Sequence, residues 1–95
     1  MSVRFEWDPE KAVANLTKHG VSFEEGLTVF SDPLGRIFDD EDHSMEEARE
    51  IIIGHSTQQL LLLVYFTARG ASIRIFSARR ATRRERRDYE ENVGS

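Results

Sequence analysis

The sequence predicts an α+β domain: two N-terminal helices, a four-stranded and mainly antiparallel sheet, and a C-terminal helix, in the order ααββββα. Three observations carry this prediction. Helix-starting signals stand at Asp8-Pro9, Ser22 and Thr82. After Pro33 the pattern changes to short apolar runs divided by polar turns, as strands require. The 95 residues suffice for one core, so residues 1–95 are expected to form a single domain.

Each element follows from local chemistry. Asp8 can cap the first helix, with Pro9 at N1, where its missing N–H costs nothing, and Gly20 at the C′ position. Ala12, Val13 and Leu16 share one face, and Lys18 and His19 suit the negative end of the helix dipole. Ser22 and Glu25 form a capping box for a second helix, which ends near Phe30 before the breaker Ser31-Asp32-Pro33. Leu34–Asp39 is the first strand, followed by an acidic turn over Asp39–Ser44. Met45–Glu50 reads equally as a helical turn or as the approach to a strand at Arg49–Gly54. After the turn Ser56–Gln59, the apolar run Leu60–Thr67 suits the centre of a sheet covered on both faces. Ala68–Ala71 supplies a hairpin with Gly70 free to take positive φ, and Ser72–Arg79 returns beside the previous strand. Thr82 and Glu85 make another capping box, opening a helix that runs to about Asn92 with a frayed tail beyond.

Composition narrows the functional classes. Hydrophobic residues are 39% and charged residues 32%, which fits a folded rather than a disordered chain. With no cysteine there is no disulfide framework, thiol nucleophile or thiolate metal site, which suits a cytoplasmic protein. No signal-like apolar core follows the N-terminal charges, and Leu60–Phe66 is too short to cross a bilayer. The glycines are scattered and no Gly-Lys-Ser/Thr follows them, which argues against nucleotide hydrolysis.

The net charge of −4 hides a strong asymmetry. Residues 1–50 carry five basic and thirteen acidic side chains, a balance of −8. Residues 51–95 carry eight basic and four acidic ones, a balance of +4. All eight basic residues are arginines between Arg69 and Arg87, with Glu85 the only acid before Asp88. Such a pole attracts phosphate locally while the whole molecule stays negative. The competing reading of any one arginine is a solvated, salt-bridged helix face.

Ordered blocks across the chain resemble a known family. They are Phe5–Asp8, Lys18–Glu25, Phe30 with Asp32-Pro33, Asp40–Ser44, and Ile73–Thr82 continued by Glu85-Arg86 and Tyr89. In this order the set resembles the BrnT-type toxins. The resemblance implies a RelE-like fold and a metal-independent endoribonuclease of a type II toxin–antitoxin system, which cleaves RNA to inhibit translation. It also implies a BrnA-like ribbon-helix-helix antitoxin as partner, joined in a heterotetramer, with operator DNA touched only through that antitoxin. No cofactor, metal or membrane is expected. The rival expectation is a non-catalytic module, a degenerate toxin that binds antitoxin or nucleic acid for operon autoregulation.

Metal-independent cleavage needs a base for the 2′-hydroxyl, charge stabilisation of the phosphorane and a proton for the leaving 5′-oxygen. Arginine suits the second task, because it stays protonated and its fork matches phosphate. Arg79 is the leading residue for it, standing just before a helix N-terminus; the alternative is a salt bridge to Glu85. Arg86 and Tyr89, three apart on the last helix, are expected beside it to hold phosphate and move a proton, unless Tyr89 is a core aromatic. Arg69, Arg74, Arg80 and Arg83 are expected to bind RNA, with Arg84 and Arg87 adding to the field. Arg74 and Arg79 have opposite parity on a regular strand, so only a bulge or a strand end would unite them. His19 reads as a helix-end residue, and His55 ends a strand with no special claim. His43 enters the chemistry only if its turn reaches the arginine pole. Asp39, Asp40, Asp42 and His43 read as an exposed turn rather than a metal site. Phe5 and Trp7 read as core or partner-facing anchors.

Overall fold

The computed structural model of the protein describes residues 3–41 and 48–93. Strand β1 (Arg4–Glu6) leads into helix α1 (Pro9–His19), helix α2 (Phe23–Leu27) and a 3₁₀ turn over Thr28–Ser31. Strands β2 (Arg36–Asp39), β3 (Glu50–His55), β4 (Leu61–Arg69) and β5 (Ser72–Arg80) follow, and helix α3 (Arg83–Val93) closes the chain. The sheet order is β1-β5-β4-β3-β2, with β1 parallel to β5 and the remaining pairs antiparallel.

This corrects the expected ααββββα order: the sheet has five strands and is mixed, because a strand precedes the first helix. Three residues show a single in–out alternation, too little to mark a strand locally. Arg4–Glu6 becomes one by pairing with Ser72–Arg74 and by packing Phe5 against Phe30, with ring centroids 5.3 Å apart. The second helix also stops earlier than Phe30, its last turn tightening into 3₁₀ geometry over Thr28–Ser31.

The capping chemistry is as expected. Asp8 accepts from the Glu10 N–H at 2.9 Å, Ser22 Oγ from the Glu25 N–H at 3.0 Å, and Gly20 adopts φ +69° at the end of α1. Gly70 takes φ +58° in the β4–β5 hairpin. Residues 42–47, and with them Asp42, His43 and the first half of the open Met45–Glu50 segment, lie outside the described residues; β3 begins at Glu50.

β4 runs through the middle of the sheet, and its apolar residues Leu61–Val64 are buried from both sides. One face, with Ile52, Leu62, Val64, Phe66, Ile75 and Ala78, is covered by Val21, Phe23 and Val29 from the α1–α2 region. Trp7 adds an edge-on contact to Phe23 at 5.7 Å, which makes it a core anchor. The other face, with Ile51, Ile53, Leu61 and Leu63, packs against Tyr89 of α3.

Two features of β5 position the functional region. Tyr65 pairs with Ser77 and Phe66 with Ile75, so Phe76 is an extra residue and β5 carries a bulge. Ile75 and Ala78 consequently face the same buried cluster, and Arg74 and Arg79 share the opposite face. Beyond Arg74, β1 no longer covers β5. There the buried Asn15 side chain of α1 stands in for a strand. Its amide donates to the carbonyls of Ala78 (2.8 Å) and Val21 (2.9 Å). Its oxygen accepts from the Ala78 N–H (3.1 Å) and the Ser77 hydroxyl (3.2 Å). Both backbone groups of Ala78 that the open strand edge would leave without partners are thereby satisfied.

Candidate active site

The bulge and the missing strand together open a cleft of about 440 Å³ at the free edge of β5. Lys11, Lys18 and His19 reach it from α1, Asp40 and Arg49 from the β2–β3 end, and Tyr65, Phe76, Ser77 and Arg79 from β4 and β5. Lys11 and Lys18 lie two helical turns apart and therefore present one side of α1. The bulged Phe76 ring carries Arg49 at 4.1 Å and Lys11 at 5.6 Å from its centroid, which holds two cations at the rim. Among the described lining residues, four permanent cations thus stand beside one carboxylate, that of Asp40, on a molecule of net charge −4.

Arg79 sits at the cleft in a fixed pose. Its Nη1 and Nη2 donate to the two Glu85 carboxylate oxygens, each at 2.8 Å, and Nη2 also donates to the Tyr65 hydroxyl at 3.2 Å. The bidentate pair is half-buried. Arg79 holds the Glu85 carboxyl down to about 2 against its partial burial, with the Thr82 N–H helping. In return, Glu85 raises the already high pKa of Arg79. Glu85 also completes the capping box of α3, accepting from the Thr82 N–H at 2.8 Å while Thr82 accepts from the Glu85 N–H at 3.1 Å. One carboxylate therefore fastens the start of α3 to the guanidinium at the cleft.

The remaining residues singled out from the sequence are dispersed. Arg74 shares the Arg79 face but lies outside the cleft, 3.8 Å from Glu6 Oε1. Arg69 is exposed at the hairpin, Arg80 at the end of β5, and Arg83, Arg84, Arg86 and Arg87 along α3. Tyr89 points away from the cleft into the second core cluster and is 4% exposed. Its hydroxyl donates to Asp32 Oδ2 and to the Leu34 carbonyl, both at 3.4 Å. Burial, with the Asp32 carboxylate beside it, pushes the phenol pKa up. Asp32 accepts from the N–H groups of His55 (2.7 Å) and Leu34 (2.9 Å); burial pushes its carboxyl up, but these bonds outweigh it and hold the pKa below its ordinary value. His55 packs its ring against Tyr89 at 5.6 Å. His19 lines the cleft, which its reading as a helix-end residue did not anticipate.

Lys11, Lys18, Arg49, Tyr65 and Phe76 were not singled out from the sequence. The seven-residue spacing of the lysines was a visible signal, whereas Tyr65 was concealed in an apolar strand and Phe76 acquires its position only through the bulge. Among the described residues, no group of three or more His, Cys, Asp or Glu side chains could hold a metal ion. No described helix is long and apolar enough to cross a membrane.

The protein is thus a small five-stranded α+β domain with a cation-lined cleft at a strand edge. The sequence profile described as "Ribonuclease toxin, BrnT, of type II toxin-antitoxin system" matches residues 7–85, and the chain belongs to this BrnT family. The structure is also similar to the crystal structure of the Brucella abortus ribonuclease toxin BrnT, with a TM-score of 0.67 at 22% identity, over 86% of this chain and 100% of that one. This likeness shows a shared fold. No curated protein matches the sequence significantly.

Proposed function

We propose that the protein is an endoribonuclease toxin that cuts single-stranded RNA at the β5-edge cleft and so inhibits translation in the cytoplasm. The observation that carries this reading is the convergence of Lys11, Lys18, Arg49 and Arg79 on one cleft of an acidic protein. Arg79, held by a carboxylate and pointing at the cleft, is suited to stabilise the charge of a phosphorane. Metal independence is supported by the donor set, since among the described residues the cleft is lined by four cations and only the Asp40 carboxylate, which suits phosphate better than a divalent ion. Arg69, Arg80, Arg83 and Arg86 supply a flanking field for the RNA backbone, to which Arg74 contributes less because Glu6 lies beside it. The burial of Tyr89 and its bonds to Asp32 and Leu34 support a structural role for that residue.

A type II toxin family implies a protein antitoxin. We propose that this partner is BrnA-like, with a ribbon-helix-helix element, that it forms a heterotetramer with the toxin, and that operator DNA is contacted through it alone. The second reading, a non-catalytic binding module, draws on one observation: the Arg79 charge is already neutralised by Glu85. Incubation of the antitoxin-free protein with a defined single-stranded RNA in EDTA separates the two. Cleavage by the parent and its loss in Arg79→Ala is the expected result. A well-folded parent that binds the RNA without cutting it supports the binding module.

A further inference from the structure

We propose that Tyr65 is the general acid of this cleft, giving its phenolic proton to the leaving 5′-oxygen; the assignment rests on the ribonuclease reading above. Protonating the leaving oxygen requires a proton-bearing group beside the one that holds the phosphorane. Tyr65 lines the cleft, and its oxygen lies 3.2 Å from Arg79 Nη2.

The direction of that hydrogen bond defines the role. The guanidinium can only donate, so the Tyr65 oxygen accepts and its own hydrogen must turn to another acceptor. The Arg79 Cζ lies 5.9 Å from the ring centroid, so the cation flanks the ring as well as touching its oxygen. When the proton has left, the phenolate keeps the Arg79 hydrogen bond, now charge-assisted on both sides and stronger for it.

Glu85, Arg79 itself, Tyr89 and Ser77 serve this step less well. Glu85 is fixed as a carboxylate by the two Arg79 bonds and has no proton to give. Arginine itself does not deprotonate. Tyr89 commits its hydroxyl to Asp32 and Leu34, away from the cleft. The Ser77 hydroxyl donates to Asn15. In the balanced step the 2′-oxygen bonds to phosphorus and its proton leaves to solvent. The bond from phosphorus to the 5′-oxygen breaks, Tyr65 protonates that oxygen, and a 2′,3′-cyclic phosphate remains. Tyr65 then regains a proton from solvent.

The test compares two RNAs cut at one phosphate, the second carrying sulfur in place of the 5′-bridging oxygen. A thiolate leaves without protonation, so it bypasses a general acid but not a positioning residue. Tyr65→Phe is expected to lose at least ~10²-fold on the oxygen substrate. On the sulfur substrate it should stay within about tenfold of the parent, and it should bind a 2′-deoxy analogue like the parent. A variant slow on both substrates, or on neither, overturns the assignment while leaving the ribonuclease reading intact. A parent protein that cuts neither RNA overturns that reading itself and the assignment with it.

Discussion

Two clusters on the α3 side of the sheet contain the same kinds of group and differ in what they can do. At the β5 edge, Tyr65 meets Arg79, which is paired with Glu85; under α3, Tyr89 meets Asp32 and His55. Glu85 and Tyr89 stand four residues apart on the same helix, so one face of α3 serves both. The partner decides the outcome. Tyr65 accepts from a cation and keeps its proton available to a cleft, whereas Tyr89 spends its proton on a carboxylate and a carbonyl inside the core. Asp32 has in turn been used up as an anchor. Its oxygens tie the turn after the 3₁₀ segment to β3 and α3, and a Cβ on Gly54 would come within 3.1 Å of Asp32 Oδ2. Chemistry thus follows from the direction of a hydrogen bond and from access to solvent, not from residue type.

The comparison predicts opposite phenotypes for the two charged centres, and the largest effect belongs to the cleft. Arg79→Ala is expected to lower RNA cleavage by ~10²–10³-fold, the scale of removing one donor to a developing oxyanion, while loss of the Glu85 pair lowers the melting temperature by only about 5 °C. Asp32→Ala should do the reverse. Leaving the His55 and Leu34 N–H groups without their acceptor costs ~2 kcal/mol, which lowers the melting temperature by roughly 10 °C. The specific activity of the folded fraction should persist. If Asp32→Ala abolished cleavage at a temperature where the variant is fully folded, the separation of the two clusters would fail.

The sequence disclosed the frame of this arrangement better than its contents. Caps at Asp8, Ser22 and Thr82, and the buried run through β4, were legible because they depend on neighbouring residues alone. β1 was not, because three residues become a strand only when Ser72–Arg74 offers them a partner. Arg79 was legible as a residue with two readings, and its salt bridge to Glu85 is present. Arg86 and Tyr89 share a helix with Glu85, but helical spacing does not reveal which side of the helix meets the core. The α1 side of the cleft depends on Asn15 replacing a strand beside the Phe76 bulge, a long-range arrangement with no local signature.

Acid titration sharpens the comparison at a smaller scale. The Glu85 carboxyl lies near 2 in the folded protein, against an ordinary 4.5. A depressed folded value means the stabilisation is complete above about 4.5 and is lost as the pH falls towards 2. After allowance for solvent screening it amounts to ~1 kcal/mol. Glu85→Gln keeps a capping-box side chain but loses the charge. Denaturant midpoints should therefore separate parent and variant at pH 7 and converge at low pH. A gap that persists undiminished at the lowest pH would assign the effect to packing rather than to the ion pair.

The smallest expected effect is that of Tyr89→Phe. Its hydroxyl bonds, at 3.4 Å each, are at the long end for oxygen donors, while the ring provides the burial and the edge contact to His55. Removing the oxygen alone should cost less than ~1 kcal/mol and leave RNA cleavage within about twofold of the parent. Tyr89→Ala, which removes the ring as well, should cost ~3 kcal/mol by opening a cavity against Ile53 and Leu63. The pair of variants, followed by thermal melting and by RNA cleavage, weighs ring against hydroxyl in this cluster. A Tyr89→Phe protein as stable as the parent but unable to cut RNA would place chemistry under α3 and undo the distinction between the two tyrosines.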